Sequence, residues 1–274
     1  MALTKLQKAI MASIAKNRSE TSYVAGGLVL NMNWPRLSDD IDIFQDTDEE
    51  IGPTADRDIE TLRSDGFRVY IEVNVYGCVE AEVSQALENT LIQWMSESRI
   101  RFFPLIRDEE WGARLHPADL AVNKVLAAST RTKPRDFVDL LMIDERLSPL
   151  GALIMAASGK PPHYSPIKIV DEIRRRGLSV STDEYNSVKG LPDDFTATVI
   201  RERLVEALDR AEDYARLAPA DIVGLLVIDS NGIPVQISVL NEAGVQFRKA
   251  TSEPDVMPSL PDVPESWRRI DNAD

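Results

Sequence analysis

Two aspartates separated by one apolar residue are the side chains of this sequence best suited to chemistry. Asp40 and Asp42 lie in the run Asp-Ile-Asp-Ile-Phe at residues 40–44. Alternate side chains of a β-strand share a face, so both carboxylates project to one side and the isoleucines to the other. Neighbouring carboxylates repel each other unless a cation lies between them, and Mg²⁺ prefers oxygen ligands of this kind. The pattern therefore predicts a strand that binds magnesium.

A turn of small residues precedes this strand. It consists of Ala25, Gly26 and Gly27. The backbone N–H groups of such a turn can face the oxygens of a phosphate group. Ser38 either hydrogen-bonds to phosphate or caps the turn before the strand. At this point the alternative of an ordinary turn followed by two solvent-exposed carboxylates stays open.

A lysine on a later helix is a second candidate. The spacing predicts a helix from Pro117 to about Ser129, with Asp119 near its N-terminus, where a carboxylate is favoured. Lys124 lies on this helix, and its ammonium group is a suitable point charge for a triphosphate oxygen. An exposed helical lysine with no such role is the alternative.

Two further aspartates lie on the next predicted helix, which runs from about Pro134 to Glu145. Asp136 and Asp139 are three residues apart and share a face of that helix. A carboxylate here either orients Lys124 or takes part in catalysis. The alternative is a cluster of salt bridges with Arg135 at the end of the helix.

Composition limits the possible classes of protein. The 274 residues are 43% hydrophobic and 28% charged, which is enough for one large domain or two small ones. The net charge of −14 argues against broad, sequence-independent binding of nucleic acid. Basic residues are frequent from Arg99 to Arg146, but acidic residues are interspersed, so a mixed surface and a binding patch both stay open.

The single cysteine and the two histidines exclude other chemistry. Cys78 cannot form a disulfide within the chain, and we interpret it as a core thiol. His116 and His163 are far apart with no cysteine nearby, which argues against a zinc site. The first residues contain no apolar run long enough for a signal peptide, and no stretch approaches transmembrane length, so we expect a cytoplasmic protein.

Periodicity predicts the order of the elements. Helices are expected at 3–17, from Leu28 to before Pro35, and at 55–65, 117–129, 134–145, 147–159, 166–176, 182–189 and 192–217. Strands are expected at 22–25, 40–44, 67–76, 79–84, 90–94 and 100–103, and a β-hairpin at 222–228 and 234–240 around Asn231-Gly232. We divide the chain into residues 1–112, a helical domain with the hairpin at 113–250, and a flexible tail at 251–274 that is rich in Pro, Asp, Glu and Ser.

Four ordered motifs resemble those of the nucleotidyltransferase superfamily. They are Ala25-Gly26-Gly27, the run from Arg36 to Phe44, the run from Asp119 to Lys124, and the run from Arg135 to Leu140. More closely, the chain resembles the AbiEii/AbiGii-type nucleotidyltransferases, the toxin components of bacterial toxin–antitoxin and phage-abortive systems. The resemblance covers residues 20–145. It implies an α+β fold in which a mixed sheet flanked by helices forms the catalytic core, 1–112, followed by the mainly helical region.

The resemblance also implies an activity and a set of site residues. The activity is Mg²⁺-dependent transfer of a nucleoside monophosphate from an NTP to a hydroxyl of an RNA, such as a tRNA, or of a protein. By analogy the catalytic residues are Asp40, Asp42, Lys124, Asp136 and Asp139, and the two strand aspartates hold Mg²⁺. Nucleotide binding falls to Gly26, Gly27, Ser38 and Lys124. A cognate antitoxin is the expected partner.

Two departures from the superfamily pattern leave alternatives open. Gly27 stands where a serine is common, and the strand expected to carry a third carboxylate offers Gln93. Glu72, Glu82 and Glu97 are candidates for that third carboxylate. The chain is therefore either an active transferase or a catalytically weak module that binds a nucleotide or a partner. A further hypothesis makes the C-terminal helices and hairpin a platform for an antitoxin or another partner.

Overall fold

The chain forms two compact units, each with its own core. The computed structural model describes residues 3–31, 34, 36–237, 244–253 and 256–257. Within these ranges the first unit comprises residues 3–99 and 105–116, and the second comprises residues 100–104 and the chain from Pro117 onward. The boundary drawn from the sequence after residue 112 falls inside a strand of the first unit.

The first unit is built around a seven-stranded mixed sheet. Its helices are α1 (Lys5–Ile14), α2 (Gly26–Leu30) and α3 (Ile51–Ser64). Its strands are β1 (Ser22–Ala25), β2 (Asp40–Gln45), β3 (Arg68–Val75), β4 (Cys78–Gln85), β5 (Glu88–Ser96), β6 (Ile106–Asp108) and β7 (Gly112–Arg114). The strand order is β3-β4-β5-β2-β1-β7-β6, so β2 occupies the centre of the sheet. It pairs parallel to β5 and antiparallel to β1.

One face of this sheet is the core of the first unit. Ile41 and Ile43 of β2 and Trp94 of β5 are fully buried there, and α1 and α3 pack against the sheet. Complete burial of an isoleucine side chain contributes about 1.5–3 kcal/mol to folding. The Trp94 indole N–H donates to Asp58 of α3 at 2.8 Å, and Asp58 also pairs with the fully buried Arg18. The apolar alternation in β2 and β5 thus fixes which face carries the other, polar residues.

The second unit is mainly helical. Its helices are α4 (Pro117–Thr130), α5 (Pro134–Arg146), α6 (Leu150–Ala157), α7 (Pro166–Ser179), α8 (Thr182–Asn186) and α9 (Ala197–Leu217). A two-stranded antiparallel sheet follows, formed by β8 (Leu225–Ile228) and β9 (Gln246–Lys249). Every residue of α6 is buried, and this helix packs against α4, α9 and β8. The long apolar run at 150–157 therefore forms the centre of the unit.

The C-terminal hairpin differs from its predicted form. The expected turn is present, since the Asp229 N–H donates to the Ile233 carbonyl at 2.9 Å. However, β8 pairs with β9, and the predicted partner strand contributes an isolated bridge at Pro234. Proline has no N–H to donate to a ladder, which limits pairing at this point. Residues 238–240 of the predicted strand, and most of the predicted flexible tail (254–255 and 258–274), lie outside the described residues.

The strand predicted at 100–103 is wrong. Arg101 exchanges two backbone hydrogen bonds of 2.9 Å with Thr251, and this is an isolated bridge. The N–H groups of Phe102 and Phe103 instead donate to the Asp119 carboxylate, at 2.9 and 3.0 Å. Because the carboxylate takes both donors, they cannot join a strand ladder.

The helices confirm most of the sequence expectations and contain no membrane span. Within the described residues, no helix combines the length and the apolar character needed to cross a bilayer.

Candidate functional site

The two strand aspartates lie on the polar face of the central strand. Asp40 and Asp42 alternate with the buried isoleucines of β2, as predicted, and their backbones are about 6.6 Å apart along the strand. Asp40 is buried, and the Ser38 hydroxyl donates to its Oδ1 at 2.9 Å. Asp42 is half-buried. Ser38 therefore orients the first carboxylate.

The glycine pair forms the first turn of α2. The helix was expected to open at Leu28, but it begins at Gly26, directly after β1. Gly26 has φ +75°, and a Cβ atom at this position would lie 1.8 Å from Oδ2 of Asp42. Only a residue without a side chain allows this approach, because an L-residue is strained at positive φ and its Cβ would displace the carboxylate. The backbone of Gly26 thus lies directly against Asp42.

The position of Gly27 accounts for the absence of a serine there. A Cβ atom on Gly27 would lie 2.5 Å from Nη2 of Arg36 and 3.1 Å from Oγ of Ser38. The space that a side chain at residue 27 needs is therefore already occupied. Ser38 places its hydroxyl beside this volume, next to Asp40.

A row of polar residues crosses the sheet from Asp42. Asp42 pairs with Gln93 of β5, and Gln93 pairs with Glu80 of β4. Residues paired across neighbouring strands share a face, so all three lie on the polar side of the sheet. The Gln93 Nε2 atom donates to Oε1 of Glu80 at 2.6 Å. The row thus places a carboxylate two strands away from Asp42.

Glu80 was not among the residues selected from the sequence. Of those that were, Glu82 lies on the same face but pairs with Leu91 and accepts from Asn89 at 3.0 Å. Glu72 is exposed on the edge strand β3, and Glu97 follows the end of β5. The sequence does contain a sign that Glu80 lies on the polar face. Glu80 and Glu82 alternate with three buried apolar residues, Val79, Ala81 and Val83.

Cys78 lies beside this row. The thiol is half-buried, and its Sγ is 3.8 Å from Oε1 of Glu80. Burial and the neighbouring Glu80 carboxylate raise the pKa of the Cys78 thiol. An increased thiol pKa disfavours the reactive thiolate, which agrees with a cysteine that is no nucleophile.

The helical unit holds a separate cluster of charges. Lys124 of α4 is buried, and its Nζ lies 3.2 Å from Oδ1 of Asp136 and 2.9 Å from Oδ2 of Asp139. Arg131 donates from Nε to Asp136 at 2.7 Å. Burial alone raises the pKa of Asp136, but Lys124 and Arg131 outweigh it and lower this pKa to about 2. Lys124 is therefore not the exposed helical lysine of the alternative interpretation. Arg131 is a second cation that contacts Asp136.

Asp119 holds chain segments together within the same unit. Besides the two N–H groups of residues 102 and 103, it accepts from Nζ of Lys160 at 2.8 Å. Lys160 also donates to Oδ1 of Asn123 at 2.9 Å. Asp119 is fully buried with these donors, so its role is structural, as its position at a helix N-terminus indicated.

The strand aspartates suit Mg²⁺ by the chemistry of their donors. Among the residues that the structure describes, no group of three or more His, Cys, Asp or Glu side chains forms a metal site. Mg²⁺ is commonly held by one or two carboxylates together with water and substrate phosphates. Asp40 and Asp42 supply such a pair of carboxylates on one face.

The comparisons with known proteins bear on the fold. No protein-family model matches the sequence, and no curated protein matches it. Among solved structures, MenT4, a nucleotidyltransferase toxin from Mycobacterium tuberculosis H37Rv, is similar with a TM-score of 0.55 and 15% identity; the match covers 79% of this chain and 84% of that chain.

Two other structures are less similar. One is a protein from H. pylori proposed to be a nucleotidyltransferase, with a TM-score of 0.44, 16% identity, and coverage of 76% of this chain and 94% of that chain. The other is a tRNA-processing enzyme in an apo form, with a TM-score of 0.31, 13% identity, and coverage of 77% of this chain and 58% of that chain. The likeness to MenT4 confirms the predicted fold class, a nucleotidyltransferase-like α+β fold with a C-terminal hairpin.

Proposed function

We propose that this protein is an Mg²⁺-dependent nucleotidyltransferase of the AbiEii/AbiGii type, which moves a nucleoside monophosphate from an NTP to an acceptor hydroxyl. The observation that carries the proposal is the packing of Gly26 against Asp42 on the central strand. This packing brings a phosphate-compatible backbone segment and a carboxylate pair together in one unit. The fold shared with the toxin MenT4 supports the same activity.

Asp40 and Asp42 are the residues that would hold the metal. When bound, Mg²⁺ supplies charge neutralisation for the triphosphate and activation of the acceptor hydroxyl. The Ser38 hydroxyl keeps Asp40 oriented, so one ligand is preorganised before nucleotide arrives. Preorganised groups cost little reorganisation during reaction, which is the main source of catalysis in phosphoryl and nucleotidyl transfer.

Gly26, Gly27 and Ser38 are proposed to contact the nucleotide phosphates. The backbone at the two glycines allows close approach because neither residue has a side chain. The Ser38 hydroxyl lies beside the space that a side chain at position 27 would occupy. Its single proton is donated to Asp40 in this structure, so Ser38 supplies the hydroxyl that Gly27 lacks when it turns from Asp40 to a phosphate oxygen.

Lys124 is proposed as a cation for the triphosphate. Asp136 and Asp139 hold its ammonium group at 3.2 and 2.9 Å. These carboxylates fix the position of the ammonium group. In this proposal they are positioning residues, and the lysine makes the contact with the nucleotide.

The acceptor is proposed to be an RNA, such as a tRNA, or a protein hydroxyl. MenT4 is a toxin, and we extend that role to this chain, with a cognate antitoxin as partner and the cytoplasm as location. The C-terminal helices and the β8–β9 hairpin are the proposed surface for that partner.

Labelling of a cell extract tests the activity. Purified protein is incubated with Mg²⁺, extract and each labelled NTP in turn, and the labelled band identifies both donor and acceptor. The Asp40→Ala variant is the control. Equal labelling by the variant and the unchanged protein would contradict the proposal.

A nucleotide-binding module without transfer activity is the second candidate. Gln93 favours it, because this residue stands beside Asp42 where the superfamily often has a carboxylate. Calorimetry with a non-hydrolysable NTP distinguishes the two functions. Tight binding without any transfer in the labelling assay would support the module.

A further inference from the structure

We propose that Gln93 supplies a neutral oxygen ligand to the cation site of Asp40 and Asp42, and that Glu80 is the residue that positions it. This inference rests on the proposed function, because it assumes a divalent cation on the polar face of the sheet. It assigns roles to two residues that the motifs leave without one.

The orientation of the Gln93 amide follows from hydrogen-bonding chemistry. An ionised carboxylate only accepts hydrogen bonds, so the contact of 2.6 Å with Glu80 must be donated by the amide nitrogen. The amide oxygen is then directed away from Glu80. Since β5 lies between β4 and β2, that direction is toward the strand of Asp42.

The distances along the sheet agree with this arrangement. Gln93 and Asp42 are paired on adjacent strands, so their backbones are about 4.8 Å apart in the pairing direction. Glu80 is two strands away, at about 9.6 Å by the same spacing. A carboxylate at that distance does not reach the cation of Asp42 directly, but it fixes the amide between them.

The charge of the site is consistent with a neutral third ligand. Asp40 and Asp42 already repel each other, and a third carboxylate directly beside Asp42 would add to that repulsion. An amide oxygen adds a donor atom without a charge. The resulting site holds its metal more weakly than three carboxylates do, and phosphate oxygens of the nucleotide complete the shell.

Removal of the positioning residue is the first test. In Glu80→Ala the amide loses its partner, and we expect the affinity for Mn²⁺, measured by electron paramagnetic resonance with a non-hydrolysable NTP, to fall about 10-fold. Glu82→Gln, on the same face and strand, is the matched control and should leave the affinity unchanged. Equal affinity of Glu80→Ala and the unchanged protein would overturn the proposal.

An exchange of the two side chains is the sharper test. Gln93→Glu alone places two carboxylates in contact, so its Mn²⁺ affinity should depend steeply on pH. The double variant Gln93→Glu/Glu80→Gln restores an amide-to-carboxylate hydrogen bond and should bind Mn²⁺ at least as tightly as the unchanged protein, with little pH dependence. If the single and double variants behave identically, the contact between residues 80 and 93 has no role in binding.

The only cysteine of the chain reports on the position of Glu80 without any metal. The Cys78 thiol lies 3.8 Å from Glu80, so Glu80→Gln removes a negative charge and should increase the rate of reaction with a disulfide reagent near pH 8. An unchanged rate would overturn the polar row itself. A changed rate combined with no Mn²⁺ binding by any variant would instead refute the proposed function and, with it, the ligand role of Gln93.

Discussion

The polar face of the sheet and the charge cluster of the helical unit both hold carboxylates, but they hold them differently. On the sheet, strand register places Asp42, the Ser38 hydroxyl donates to Asp40, and the Gln93 amide donates to Glu80. In the helical unit two cations, Lys124 and Arg131, surround a fully buried carboxylate.

This difference determines how strongly each region contributes to stability. The strand aspartates are proposed to meet their cation only when Mg²⁺ and nucleotide bind. A buried carboxylate held by a lysine and an arginine has its charge compensated in the folded chain, and removal of one member leaves the others poorly solvated. We therefore expect substitutions on the sheet to reduce activity with little loss of stability, and substitutions in the cluster, which also positions the proposed nucleotide contact Lys124, to reduce stability as well.

Asp136→Asn should have the largest effect on stability. It removes a buried negative charge that faces two cations, and we expect the free energy of unfolding to fall by about 3–5 kcal/mol. Urea denaturation measures this change. The control is Glu145→Gln on the same helix, whose pair with Arg203 is about 40% exposed on both sides and contributes less than about 1 kcal/mol. Equal losses in both variants would break the comparison.

Asp42→Asn should have the largest effect on activity. Loss of one charged ligand is expected to lower the rate of nucleotide transfer about 100- to 1000-fold, while the free energy of unfolding changes by less than about 1 kcal/mol. Transfer assays and urea denaturation are both needed. Asp39→Asn, at an exposed residue directly before the strand, should retain activity. A large fall in the free energy of unfolding of Asp42→Asn would show that this residue, like Asp136, mainly stabilises the fold.

Stability should depend on acidic pH through the charge cluster. The folded pKa of Asp136 is about 2 against an ordinary value of 3.8, so the folded state binds this proton less readily than the unfolded state. The stabilisation, about 2 kcal/mol, is complete above pH 4 and is lost as the pH falls from about 4 to 2. Thermal unfolding across this range measures it, and Asp136→Asn should remove this part of the pH dependence. The same slope in the variant would show that other groups are responsible.

Gly26→Ala should have a modest effect on stability and also reduce activity. The positive φ costs an alanine about 1–2 kcal/mol, and the new Cβ displaces the Asp42 carboxylate. Gly52→Ala is the matched control, since nothing lies within 4 Å of a Cβ atom at that helical position. Differential scanning calorimetry and the transfer assay measure the two effects. Full activity of Gly26→Ala would show that the close contact with Asp42 is dispensable.

The sheet site was largely predictable because its information is local. The alternation of Asp40 and Asp42 with isoleucines defines a polar face without knowledge of any neighbouring strand. The pairing of Gln93 with Glu80 depends on how β4 and β5 align, and residues from distant strands come together only through that register. For this reason the sequence led to Glu72, Glu82 and Glu97, while Glu80 was overlooked.

The charge cluster was predictable in part. The spacing of Asp136 and Asp139 on one helix indicates a shared face, and both do contact Lys124. The burial of Lys124 and the contact of Arg131 with Asp136 depend on how α4 and α5 pack. Local spacing in the sequence does not determine this packing. The strand at 100–103 failed for a similar reason, since a distant carboxylate, Asp119, takes its backbone donors.

The central position of β2 has a consequence for hydrogen exchange. All six of its residues pair with β5, and four of them also pair with β1, whereas β3 and β6 are edge strands. Amide protons in such a doubly paired strand exchange with solvent only in large opening events, while edge strands fray more often. The amides of Asp42–Gln45, like those of the part of β5 that pairs with both β2 and β4, should therefore exchange more slowly than the amides of the edge strands. Fraying of the edge strands should therefore leave the distance between the two carboxylates unchanged.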